Sequence, residues 1–153
     1  MRISKSPSSS PSAVILLVDD NRMGLAARRA VLQELGHTVV TAVNGQDALG
    51  LTEAQSFDLV ITDWKMPKLD GIELIRELRN RLYPAPIVLL SGFADSSGLH
   101  ESESGADVVV QKSANEVQVL ISTVKRLLTR KALRKGPASQ LPAKATKAKG
   151  KAS

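Results

Sequence analysis

Five short strand-like runs, four of them apolar, punctuate this chain, at residues 13–18, 37–42, 59–61, 87–90 and 108–110, and each is followed by a segment long enough for a helix. Runs of this length bounded by turn residues read as strands, and the continuous apolar character of the first marks a strand buried on both faces. Alternation of strand and helix repeated five times dictates right-handed βαβ units and a parallel sheet. The predicted fold is α/β, a doubly wound five-stranded parallel sheet with helices on both faces.

The residues that close these runs carry the candidate chemistry. Asp19 and Asp20 follow the first run, Asp63 closes the third, Ser91 the fourth, and Lys112 the fifth. In open α/β sheets, ligands gather at the carboxyl ends of the strands. Three carboxylates brought together there repel and resist joint ionisation. A hard divalent cation relieves this, and Mg²⁺ prefers such oxygen ligands while keeping several waters. Lys112 adds a compact positive charge and Ser91 a hydroxyl donor, so the set suits a dianionic group held against one carboxylate. Phosphoryl transfer asks little more of a protein than positioning and charge neutralisation, and carboxylates serve as acceptors, forming aspartyl phosphates. Asp63 is the natural acceptor because its strand is the predicted centre of the sheet. Neither GxGxxG nor a phosphate-cradling P-loop occurs, so nucleotide binding loses its main support.

The helices are delimited by their caps. The first is predicted from about residue 22 to 35, with Met23, Ala27, Ala30, Val31 and Leu35 inward and Gly36 as its stop. Asn44 caps the second, which holds Ala48, Leu49 and Leu51. Asp70 and Glu73 have capping-box spacing before a helix with Ile72, Ile75, Leu78 and Leu82 on its apolar side. Residues 95–105 form the weakest helix candidate. Ser113 and Glu116 give a second capping-box spacing, ahead of Val117, Leu120, Ile121, Val124, Leu127 and Leu128. That helix is expected to fade near Leu133, before Gly136-Pro137. His37 and His100 are expected at the surface, and Trp64 at the edge of the site.

Charge divides the chain. Residues 1–124 hold 15 acidic and 11 basic side chains, whereas residues 125–153 hold 10 basic ones and no acid. Residues 1–12, rich in Ser and Pro, bury too little apolar surface to order themselves and read as a flexible leader. Residues 131–153 read as a disordered Lys/Ala/Pro-rich tail. Such a tail suits phosphates on nucleic acid, an acidic partner or anionic lipid, or serves as a solvated extension. No aromatics interleave with its lysines, which argues against a base-stacking platform. No apolar stretch approaches the ~18 residues of a membrane span, no signal-peptide segment opens the chain, and cysteine is absent. The expected location is cytoplasmic.

These pieces together resemble the receiver domain of two-component response regulators. The resemblance covers about residues 13–130. It rests on the acid pair in Leu17-Val18-Asp19-Asp20, on Asp63-Trp64-Lys65-Met66-Pro67 with Asp70-Gly71, on Ser91-Gly92, and on Gly105-Ala106-Asp107 leading to Lys112. It implies a flavodoxin-like strand order, 2-1-3-4-5. It implies Asp63 as phospho-acceptor, and Mg²⁺ held by Asp20, Asp63 and the Lys65 backbone carbonyl, with Asp19 acting mainly through water. Ser91 would be the switch hydroxyl and Lys112 the lysine contacting the phosphoryl group. The donor would be a sensor histidine kinase or a histidine phosphotransfer protein, and a downstream protein would meet the face made by the fourth helix, fifth strand and fifth helix. Such a domain is a signalling module that assists its own phosphorylation and dephosphorylation rather than an enzyme.

Three departures stand out. Ser113 replaces the family's proline after the lysine, so a trans bond is expected there and a somewhat altered lysine position. Val109 takes the place of the aromatic switch. Gly92 stands where alanine is usual. The leading expectation is a single-domain response regulator. The alternative is a pseudo-receiver, a binding module or adaptor whose basic tail contacts nucleic acid or an acidic partner.

Overall fold

The computed structural model describes residues 12–92 and 104–140, with side chains through residue 130. In chain order the elements are β1 (Val14–Val18), α1 (Arg22–Glu34), β2 (Thr38–Ala42), α2 (Gly45–Ala54), β3 (Leu59–Asp63), α3 (Gly71–Asn80), β4 (Ile87–Ser91), β5 (Val108–Gln111) and α4 (Glu116–Gln140). The strands form one parallel sheet in the order β2-β1-β3-β4-β5. The helix expected over residues 95–105 lies, apart from Ser104 and Gly105, outside the described residues. So do most of the leader, the end of the tail, and His100.

Side chains alternate across the sheet with the period of two that strands impose. Ile15, Leu17, Ile61 and Leu90 pack with Leu25 and Leu32 of α1 and with Leu120, Val124 and Leu127 of α4. Leu16, Val18, Val60 and Leu89 pack on the opposite face with Ala48 and Leu49 of α2 and with Leu74, Ile75 and Leu78 of α3. Each such aliphatic side chain, fully buried, contributes about 2 kcal/mol. The core is aliphatic on both faces.

Acids at the amino-terminal rim have a structural role. Asp58 accepts a hydrogen bond from the Val14 amide, and Asp107 accepts from the Ile87 amide and from Arg79. These carboxylates satisfy strand-end donors that no ladder reaches.

Several expectations need correction. Met23 is 84% exposed and Ala27 and Ala30 also face solvent. The inward stripe of α1 is Leu25, Arg28, Leu32 and Leu35, a phase that an arginine disguises. Leu82 lies beyond the end of α3, at φ +58°, and is exposed; Leu74 fills the inward position instead. Val117 is likewise exposed. His37 is buried, and its Nδ1 accepts a hydrogen bond from the Ala13 amide. Helix α4 does not fade near Leu133 but continues to Gln140. Residues 130–135 are Arg, Lys, Ala, Leu, Arg and Lys, all strong helix formers, and a low-complexity composition had masked that propensity.

Candidate functional site

The strand order places the carboxyl ends of β1 and β3 side by side at the middle of the sheet. The backbone there is fixed by ladder bonds that run one residue past each strand. The Asp19 amide donates to Ala42, the Trp64 amide to Leu90, and the Lys112 amide to Ser91. Asn21, the residue after the acid pair, caps α1 through its side chain, and Asp19 Oδ1 accepts from the Asn21 amide at 2.9 Å. The acid pair therefore springs from a rigid strand–helix junction.

Opposite it, the turn after Asp63 folds back tightly. The Gly71 amide donates to the Trp64 carbonyl at 2.7 Å, and a Cβ at Gly71 would strike the Asp63 carbonyl. Only glycine admits this approach. The Asp70–Glu73 capping box then starts α3 as expected, with both reciprocal bonds at 2.9 Å.

Carboxylate oxygens of Asp19, Asp20 and Asp63 lie within 4.8 Å of one another. Asp19 and Asp63 are buried, whereas Asp20 is exposed. Lys112 Nζ lies 2.5 Å from Asp63 Oδ1. Burial pushes the Asp63 carboxyl above its ordinary pKa, the Lys112 bond pulls the other way, and the Asp19 charge pushes it up again. Three carboxylates so close together, two of them buried and all offering oxygen donors, fit a hard cation such as Mg²⁺. Ser91 is fully buried at the end of β4, between Asp63 and the β5 end, and its hydroxyl donates to the Gly92 carbonyl at 3.4 Å. Lys65 extends its amine over the Trp64 ring, 4.2 Å from the centroid.

A family model described as the response regulator receiver domain matches residues 15–125. The chain belongs to this family. The receiver is 38% identical to the response regulator TrrA of Thermotoga maritima, whose structure was solved in complex with Mg²⁺ and BeF; the match covers 74% of this chain and 97% of that one, at a TM-score of 0.66. A receiver domain from a Francisella response regulator matches at a TM-score of 0.72 and 29% identity, over 79% of this chain and all of the other. Among curated proteins, it is 35% identical over 118 residues to the alkaline phosphatase synthesis regulator PhoP of Bacillus subtilis, and 35% identical over 116 residues to a gliding motility regulatory protein of Myxococcus xanthus. These matches cover 73% and 74% of this chain but only 48% and 15% of those proteins. Receivers of this family are signalling modules that bind Mg²⁺ at an acidic pocket.

The expected trans bond before Ser113 is present, since no cis peptide bond occurs among the described residues, and Lys112 still reaches Asp63. Val109 is half-buried in β5, packed with the α2–α3 face. The second capping box does not form. Ser113 Oγ accepts from the Asn115 amide, and the Glu116 carboxylate turns instead to Arg28, which also holds Asp19. Arg28 escaped the sequence reading; the signal available was a lone charge at the helical spacing of Leu25, Leu32 and Leu35.

Proposed function

We propose that this chain is a phospho-accepting response regulator in which Asp63 receives the phosphoryl group. The observation that carries the reading is the convergence of Asp19, Asp20 and Lys112 on that one buried carboxylate. An Asp63 oxygen attacks phosphorus while the P–N bond of a phosphohistidine breaks and its electron pair returns to the imidazole, which takes up a proton. The histidine belongs to a sensor kinase or phosphotransfer protein. Asp20, Asp63 and the Lys65 carbonyl would hold the metal, with Asp19 beside them as a further acid. When bound, Mg²⁺ neutralises charge on the transferred oxygens. Lys112 neutralises a further phosphoryl oxygen and Ser91 donates to another.

Burial of Asp63 beside like charges supports a pocket that favours an incoming cation and dianion together. The downstream partner would read the β5–α4 face, biased by contacts made in one state only. The domain limits, residues 13–130 with a leader and a basic tail, and a cytoplasmic location belong to the same reading. The test is incubation with acetyl phosphate and Mg²⁺ followed by intact mass. A phosphoryl adduct on the native chain and none on Asp63→Asn is expected; no adduct, or equal adducts, rejects the reading.

Val109 in place of an aromatic favours a second reading, an adaptor that binds without phosphate turnover and whose basic tail meets nucleic acid or an acidic partner. Deleting residues 131–153 should then abolish salt-dependent retention on DNA; unchanged retention rejects the nucleic-acid version.

A further inference from the structure

Arg28 is the one charged side chain on the inward stripe of α1, and it is only 11% exposed. Its guanidinium is divided between two acids. Nε and Nη2 grip both oxygens of Glu116, at 2.6 and 3.1 Å, while Nη1 makes a single 2.7 Å bond to Asp19 Oδ2. Glu116 is itself 12% exposed and opens the first turn of α4. Gly24 lies against the Asp19 contact: a Cβ there would sit 3.0 Å from Arg28 Nη1 and 3.4 Å from Asp19 Oδ2. A glycine inside a helix is unfavourable, and here it leaves the room that lets the guanidinium reach the pocket.

We propose that Arg28 is a counter-cation shared between the acid pocket and α4, and that Glu116, by holding Arg28 with two bonds, sets how tightly the pocket takes a divalent cation. The inference rests on the metal pocket proposed above. A planar five-donor fork suits such a division, and a lysine could not grip both partners at once. When Glu116 holds the fork, much of the cationic charge is answered there and Asp19 stays available as a metal-site acid. When the first turn of α4 moves away, the whole charge falls on Asp19 and opposes an incoming cation. Arg28 and Glu116 are thus positioning residues, acting through Asp19. Coupling of this kind is reciprocal, so a bound cation must shift the Arg28–Glu116 pairing by the same factor.

The signs distinguish this from a merely structural ion pair. Trp64 is the chain's one tryptophan and adjoins Asp63, so Mg²⁺ titration followed by its fluorescence reads the affinity of the full-length protein. Arg28→Gln, which drops the charge and keeps most of the stem, should tighten Mg²⁺ binding by about fivefold. Glu116→Gln should weaken it by a similar factor. The double variant should match Arg28→Gln alone, because Glu116 acts only through Arg28. Arg28→Lys restores a cation without the fork, and in that background Glu116→Gln should shift affinity by less than half as much. Both single variants moving in the same direction, as general loosening would cause, overturns the inference, as does a set of affinities all within twofold of the native protein. Native protein giving no saturable response rejects the metal pocket itself, and the shared counter-cation with it.

Discussion

Lys112 Nζ reaches Asp63 Oδ1 across the end of β4, from the residue just past the edge strand to the middle of the sheet. The contact forms although the next residue is Ser113 rather than a proline, so reach alone does not depend on that ring. Lys112 answers part of the charge that burial and Asp19 make costly at Asp63.

Removing that amine should therefore cripple uptake of a dianion. Lys112→Met is expected to lower acetyl phosphate labelling by about tenfold or more, the worth of a charge-assisted hydrogen bond. Intact mass after timed incubation measures it, and native-like labelling would remove Lys112 from the phosphoryl site.

Asp63 also sets a stability prediction. Its folded pKa is raised, so the folded protein holds the proton more tightly than the unfolded chain does. Above that raised pKa the ionised group destabilises the fold, and the cost disappears as pH falls through it toward the ordinary carboxylate value. Asp63→Asn should raise Tm by about 2–4 °C at pH 7, with the gain shrinking under acid. A variant less stable than the native chain at pH 7 contradicts this.

Metal should stabilise the same pocket by mass action. With free Mg²⁺ at a hundred times its Kd, the fold gains about 2.7 kcal/mol. Thermal unfolding in Mg²⁺ and in EDTA should show that difference for the native protein and much less of it for Asp20→Asn. Equal shifts would place the metal elsewhere.

Two glycines should respond oppositely to the same substitution. A Cβ at Gly71 meets the Asp63 carbonyl, whereas a Cβ at Gly50 meets nothing within 4 Å. Gly71→Ala should cost about 3 kcal/mol by forcing the turn apart, while Gly50→Ala, on the exposed side of α2, should stabilise by up to ~1 kcal/mol. Urea denaturation compares them directly.

The sheet was legible because strand-forming runs and their polar endings are local signals, and so were the caps at Asn44 and Asp70. The pocket followed, since Asp19, Asp20, Asp63, Ser91 and Lys112 all lie at strand ends. What sequence hid were side chains whose roles are fixed by distant partners. Arg28 and Glu116 are 88 positions apart, and the local spacing of Ser113 and Glu116 suggested a capping box instead. His37 looked like a surface residue, yet its ring satisfies a strand-end amide. The phase of α1 was misread because alanines on its outer face mimic an inner one while an arginine sits inside.

Helix α4 is 25 residues long, which at 1.5 Å per residue makes a rod of roughly 37 Å. Among its described side chains, the last buried against the sheet is Leu128, little more than halfway along. Glu116 stands at one end of this rod: a 5° tilt about that end displaces the far tip by about 3 Å, enough to turn an event in the pocket into a shift that another molecule can feel.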